Sequence, residues 1–257
     1  MRRTMAVVGL TMGLLIASAA GAAPPPPQAA SATHALDQQI QHYLRQQYSG
    51  NKSLAHVATT VSDRVVTLRG SVPDYRADLQ AAHIARQVGS VNGVINLLKV
   101  NAPYVPDATL RKQLAERLTY DRMGEGQVFN NLTLHVHDGV VTVGGNVHDY
   151  ASRDSALDIV DNTKGVRGVR DHVKVAPTST FDDQIRFRVA RAIYGNPALR
   201  RYALNPAHPI RIVVNNGHVT LDGVVASNLD KTLADHAARA VPNVFSVQDN
   251  LVVASGK

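Results

Sequence analysis

The chain has 257 residues, a formal net charge of +7, 44% hydrophobic and 5% aromatic residues, and neither Trp nor Cys. The missing thiols exclude disulfide staples and thiolate metal centres, so any fold must rest on cores of Val, Leu, Ile and Ala. The basic excess suits anionic surfaces or acidic partners, and also plain solubility.

The N-terminus has the pattern of an export signal. Arg2 and Arg3 precede a short apolar run at 7–16, and Ser18-Ala19-Ala20 and Ala20-Gly21-Ala22 offer small-residue cleavage sites. The run is short for a membrane span, so a cleaved signal at 1–22 is expected rather than an uncleaved anchor. Its removal leaves 25 basic against 20 acidic residues, a formal +5. No Cys follows the run to accept a lipid, so the expected location is periplasmic, which counts against nucleic acid as a ligand. Residues 23–34, with four prolines from Pro24, suggest an extended tether before the first folded unit.

A helix is predicted over 36–48, with Leu36, Ile40, Tyr43, Leu44 and Gln47 on one stripe, ended by Gly50-Asn51. Val57, Thr59 and Val61 alternate as a strand, Asp63-Arg64 turns, and 65–72 returns. Asp74 suits the N-cap of a second helix to about 88, and 95–100 closes the unit. The pattern recurs. Leu110, Leu114 and Leu118 mark a helix, and Leu132, Leu134 and Val136 a strand. Asp138-Gly139 forms a hairpin turn before 140–147, His148-Asp149 caps a helix to about 163, and 169–175 closes. The third pass has a helix over 181–194, a loop over 195–209 with three prolines, and strand 210–214. The turn Asn215-Asn216-Gly217 leads into strand 219–225, a helix over 229–240 and strand 246–253.

This is an internal repeat. Gly70, Gly145 and Gly223 lie 75 and 78 residues apart, and at the same offsets Val72 falls on Val147 and Val225, and Val100 on Val175 and Val253. The predicted fold class is α+β: three tandem αββαβ modules at 35–102, 106–176 and 180–254. Each is a small three-stranded mixed sheet packed by two helices. The joints NAPYVP and APTST are short, so the modules should touch. The three glycines suggest close backbone approach where a helix crosses the sheet, or else a ligand-facing backbone.

The turn followed by VVTLRG, VVTVGG or HVTLDG, the next Val, the Ala-rich helix and the closings GVINLLKV, GVRDHVKV and VFSVQDNLVV resemble the BON domain of bacterial envelope proteins. The resemblance implies the fold already predicted. It also implies attachment to phospholipid surfaces or envelope partners without catalysis. Tandem repeats behind a plain signal resemble osmotically inducible periplasmic proteins of this family, which usually carry two repeats.

No nucleophile elbow, Walker A loop, zincin motif or dinucleotide fingerprint occurs, so no catalytic residue, cofactor or metal is expected. His135 and His137 face outward together on one strand but lack a third ligand, and His83 and His236 share an equivalent helix position. In the first helix of module three, Phe181, Ile185, Val189 and Ala192 are expected to point inward. Phe187, Arg191 and Tyr194 then lie opposite, with Arg200 and Arg201 beyond. Exposed rings beside arginines suit an anionic interface; alternatively this face packs on module two or on the long loop. The expected function is non-catalytic binding of anionic phospholipid or envelope proteins under envelope or osmotic stress. A chaperone that holds unfolded chains is the rival, and an unrecognised hydrolase a remoter one.

Overall fold

A computed structural model describes residues 27–120, 128–205 and 208–254; the expected signal peptide lies outside them. Module one comprises α1 (Pro27–Ser49), a 3-10 turn at Lys52–Leu54, β1 (Val57–Ser62), β2 (Val65–Val72), α2 (Tyr75–Arg86), β3 (Gly93–Asn96) and β4 (Lys99–Val100). Module two comprises α3 (Asp107–Tyr120), β5 (Asn131–His137), β6 (Val140–Val147), α4 (Tyr150–Asp161) and β7 (Gly168–Val175). Module three comprises α5 (Thr180–Gly195), α6 (Arg200–Leu204), β8 (Arg211–Asn215), β9 (His218–Val225), α7 (Asn228–Arg239) and β10 (Ser246–Val253). The α+β reading holds, as three modules of one topology.

In each sheet the middle strand is β2, β6 or β9. The preceding strand pairs with it antiparallel through a tight hairpin, and the closing strand pairs parallel after the helical crossover. Alternate residues of the middle strand enter the core, as Val66 and Leu68 do, against Ile40, Leu44 and Tyr48 of α1 and the Ala77, Ala81 and Ala85 stripe of α2. Small residues on α2 let its backbone come close, and the Tyr48 hydroxyl donates to the Ala81 carbonyl at 2.8 Å. Burial pushes that phenol up to about 12. The second helices begin alike. Asp74, Asp149 and Ser227 accept from the backbone N–H three residues on, at 2.8, 2.6 and 3.1 Å.

Two further devices repeat. An Asp of each first helix, three residues before that helix's first buried apolar residue, brackets the hairpin. Asp37 accepts from the amides of Asp63 and Arg64, Asp107 from Asp138 and Gly139, and Asp182 from Asn216 and Gly217, all between 2.8 and 3.0 Å. These turn residues all have positive φ, from 51° to 77°, which aims both N–H groups at one carboxylate. The two amides hold the Asp107 carboxyl below its ordinary range. The second device is mid-way along the closing strand, where the side chains of Asn96, Asp171 and Asp249 accept from the amide two residues later at 3.1, 2.9 and 2.9 Å. Each also meets the second helix of its module, through Asp78, Arg153 and Lys231 respectively.

Several expectations need correction. Residues 27–33 are helical and continue α1 rather than forming an extended tether, as the good helix formers Gln28, Ala29, Ala30 and Ala32 favour. The closing strand of module one begins at Gly93 and is divided at 97–98 into β3 and β4, although Leu97 still donates to the Leu68 carbonyl of β2 at 2.9 Å. The long loop of module three contains α6, with Leu199 and Tyr202 buried against the core. No helix crosses Gly70, Gly145 or Gly223. They have φ of 113°, 99° and 142°, and an added Cβ would lie 2.1, 1.9 and 2.7 Å from the carbonyl oxygens of His56, Asn131 and Pro209. The obstacle is the backbone entering the neighbouring strand, not a helix.

Candidate interaction surface

The second joint grows out of the residues just before β5. Phe129 is 5% exposed and belongs to the core of module three rather than module two. Its ring stands edge-on to Phe187 at 5.4 Å and 87°, and the Arg186 guanidinium lies 5.9 Å from its centroid. Arg186, 2% exposed, donates to Asp183 and to the Val214 carbonyl at 3.2 Å. His148 of module two reaches the same Asp183 carboxylate at 3.0 Å and its neighbour Asp149 at 3.3 Å. Asn131 donates to Asp222 of module three at 2.9 Å. Aromatic, charged and amide contacts thus converge on one seam.

The α5 stripe is rotated from its expected setting. Asp182, Ile185, Arg186, Val189 and Ile193 are the buried residues, while Phe181 is 41% exposed. Asp182 must face inward to reach the hairpin amides, and that sets the helix phase. The five expected contact residues fall into different surroundings. Phe187 is 46% exposed and rests on Phe129 at the rim of the joint. Tyr194 is not an outward ring: it packs on the core of its own module and donates to the Ile210 carbonyl at 2.5 Å, and burial raises its pKa. Arg191 and Arg200 are exposed. Arg201 is exposed but pairs with Asp230 and stacks 5.1 Å from the Tyr202 ring. Asp230 also accepts from the hydroxyls of Tyr202 at 2.8 Å and Ser227 at 2.9 Å. Burial alone would raise its pKa, but these hydroxyls and the Arg201 charge bring it below the ordinary value.

His135 and His137 are exposed on β5, and His83 and His236 are exposed on α2 and α7. Among the described residues no group of three His, Asp or Glu side chains stands together to hold a metal ion. No helix among them is long and apolar enough to cross a membrane. The bracketing aspartates and Phe129 escaped sequence reasoning. The only sequence signal for the brackets is an Asp three residues before the first buried apolar residue of each first helix, Ile40, Leu110 and Ile185.

The sequence profile of the BON domain matches three times, at residues 35–102, 106–177 and 181–255. The chain belongs to the BON-domain family. Membership points to a non-catalytic, envelope-associated protein. No curated protein sequence matches this BON-domain chain. Among solved structures it is similar to the C-terminal domain of CdsD, the structural protein of the type III secretion system of Chlamydia trachomatis. That match has 13% identity, a TM-score of 0.25, and coverage of 86% of this chain and 98% of that one. It is also similar to the periplasmic domain of the type III secretion inner membrane protein PrgH from S. typhimurium, with 9% identity, a TM-score of 0.17, and coverage of 80% and 96%.

Proposed function

We propose that this BON-domain protein is exported to the periplasm and binds anionic phospholipid surfaces or acidic envelope partners without catalysis, in the protection of the envelope under osmotic or other stress. One observation carries the reading: residues 184–204 hold five arginines and no Asp or Glu. Of these, Arg186 is consumed by the joint and Arg201 by Asp230, while Arg188, Arg191 and Arg200 point to solvent. Guanidinium groups recognise phosphate, and each basic residue near an anionic bilayer contributes on the order of 1 kcal/mol. Phe187 beside them adds a half-exposed ring of the kind that sits at headgroup depth.

Co-sedimentation with vesicles tests the proposal. Binding to phosphatidylglycerol-containing vesicles, and not to neutral ones, is expected to fall roughly tenfold or more in Arg191→Glu/Arg200→Glu at low salt. Arg201 is left in place because its loss would strand buried Asp230. Equal binding by the folded double variant removes module three as the contact. The chaperone reading draws on the exposed Leu204, Leu229, Phe245 and Val252, all above 60% exposure. It predicts suppression of aggregation of an unfolding test protein, undiminished by the arginine variant.

A further inference from the structure

The three sheets share a topology but differ on the face turned away from their helices. In module two the register aligns His135 with Thr142 and Thr142 with Arg170, Gly144 with His172, and Asn146 with Lys174. Directly paired residues project to the same side, so His135, His137, Arg170, His172 and Lys174 share one face. The opposite parity supports this: Val136, Val141, Val143, Val169 and Val173 belong to or pack against the core. All five basic side chains are exposed. Strand spacings place them within a patch roughly 10 Å wide and 20 Å long.

No carboxylate occupies that face within β5, β6 or β7. The open-side positions otherwise hold Asn131, Thr133, Val140, Thr142, Gly144, Asn146 and Gly168. At the repeat offsets the five basic positions read Thr60, Ser62, Ile95, Leu97 and Lys99 in module one, and Val213, Asn215, Gln248, Asn250 and Val252 in module three. Module one keeps Arg69 and Lys99 exposed on the equivalent face, so it is the group of three histidines, not the permanent charge, that is peculiar to module two. The acids nearest the patch stand at its margins. Asp138 lies 3.3 Å from His137 and is itself exposed. Asp107 on α3 is engaged by the hairpin amides, and Asp222 of module three is held by Asn131 and Asn250. Asp171 turns to the helix side, where Arg153 takes it.

We propose that this open face of module two is a second contact for anionic phospholipid headgroups, carried at neutral pH by Arg170 and Lys174 and strengthened on acidification by His135, His137 and His172. It rests on the lipid-binding reading given above and adds a site and a dependence on pH. Imidazole is the side chain that gains charge between about pH 8 and 5. Each charge gained near an anionic surface is worth about fivefold in affinity at low salt, less as salt rises.

The test is co-sedimentation with phosphatidylglycerol vesicles at pH 7.5 and 5.5. It uses the wild type, His135→Gln/His137→Gln/His172→Gln and Arg170→Gln/Lys174→Gln. Every position is exposed, and equal melting temperatures check that the variants fold. Wild-type binding is expected to rise at least tenfold at pH 5.5. The histidine variant should lose most of that rise, and the Arg170/Lys174 variant should bind several-fold more weakly at both pH values. Arg191→Glu/Arg200→Glu should weaken binding yet keep the acid rise. If the histidine variant keeps the full rise while the wild type binds, this face is not the site and the lipid reading survives. If the wild type ignores anionic vesicles at both pH values, both fail.

Discussion

Replacing Asp182 by Ala should unfold module three more readily than any surface change in it. The carboxylate is 2% exposed and accepts from Gly217 at 2.8 Å and Asn216 at 2.9 Å. Gly217 is buried, so its N–H loses its partner with no water to replace it, whereas the exposed Asn216 can turn to solvent. A hydrogen bond to a charged group is worth about 1.5–3 kcal/mol, and a stranded buried donor costs a similar amount. A negative charge in the first turn of a helix adds about 0.3–1 kcal/mol. The expected loss is then about 3 kcal/mol, roughly 12–24 °C in the melting of a module this size. Asp182→Asn keeps one acceptor but turns an NH2 group on the other amide, and should fall between. Urea denaturation measures the loss, and hydrogen exchange at the Gly217 amide should report it locally. A loss below about 0.5 kcal/mol, the scale of ordinary surface substitutions, would refute the bracket as a stabilising device.

Asp161, at the end of α4, is pushed up to about 6, first by burial and then by the Asp158 carboxylate. The fold favours its protonated form, so stability present at acid pH is lost as pH rises from the ordinary carboxylate value toward 6. Asp161→Asn should therefore stabilise at pH 7.5 by about 1–2 kcal/mol after allowance for solvent screening, and not at pH 4, as thermal melts at both values will show. Gly145→Ala drives a Cβ to 1.9 Å from the Asn131 carbonyl at a φ of 99° and should cost at least about 3 kcal/mol. The adjacent Gly144→Ala meets the Thr133 hydroxyl at 3.0 Å and the His172 Cβ at an ordinary 3.9 Å, with no backbone in the way, and should be far milder in the same denaturation assay. Phe129→Ala opens the seam between modules two and three at a cost of about 3–5 kcal/mol, and calorimetry should then resolve separate transitions for them.

The repeat made the fold legible because the 75- and 78-residue offsets align turns, helices and strands together. Asp138-Gly139 and Asn216-Gly217 announced their hairpins because positive φ selects such residues. Contacts between distant residues were not legible. Asp182 meets a turn 34 residues later, and nothing local distinguishes it from a solvated helix-start acid. Its demand on the helix phase turned Phe181 outward and left the apolar periodicity misleading by one position. Tyr194 looked external on a helical wheel because the wheel does not include the Ile210 backbone that covers it. Phe129 lay between predicted elements, where periodicity has nothing to say. The basic face of module two follows from alternation along β7, but its extent needs the pairing of β5, β6 and β7.

The first joint is built differently from the second. Tyr75 packs onto the core of module two, its hydroxyl at the Val169 backbone, and Arg76 donates to Asn162 at 2.7 Å. In module three the positions of Asp161 and Asn162 are Arg239 and Ala240. If residues 106–177 were excised, Arg76 would meet a like charge and a methyl group where it now meets an amide. Near-identical beads are therefore not exchangeable links. Their order along the chain is fixed by what each end is shaped to receive, and a shortened or shuffled array would keep its folds while losing its alignment.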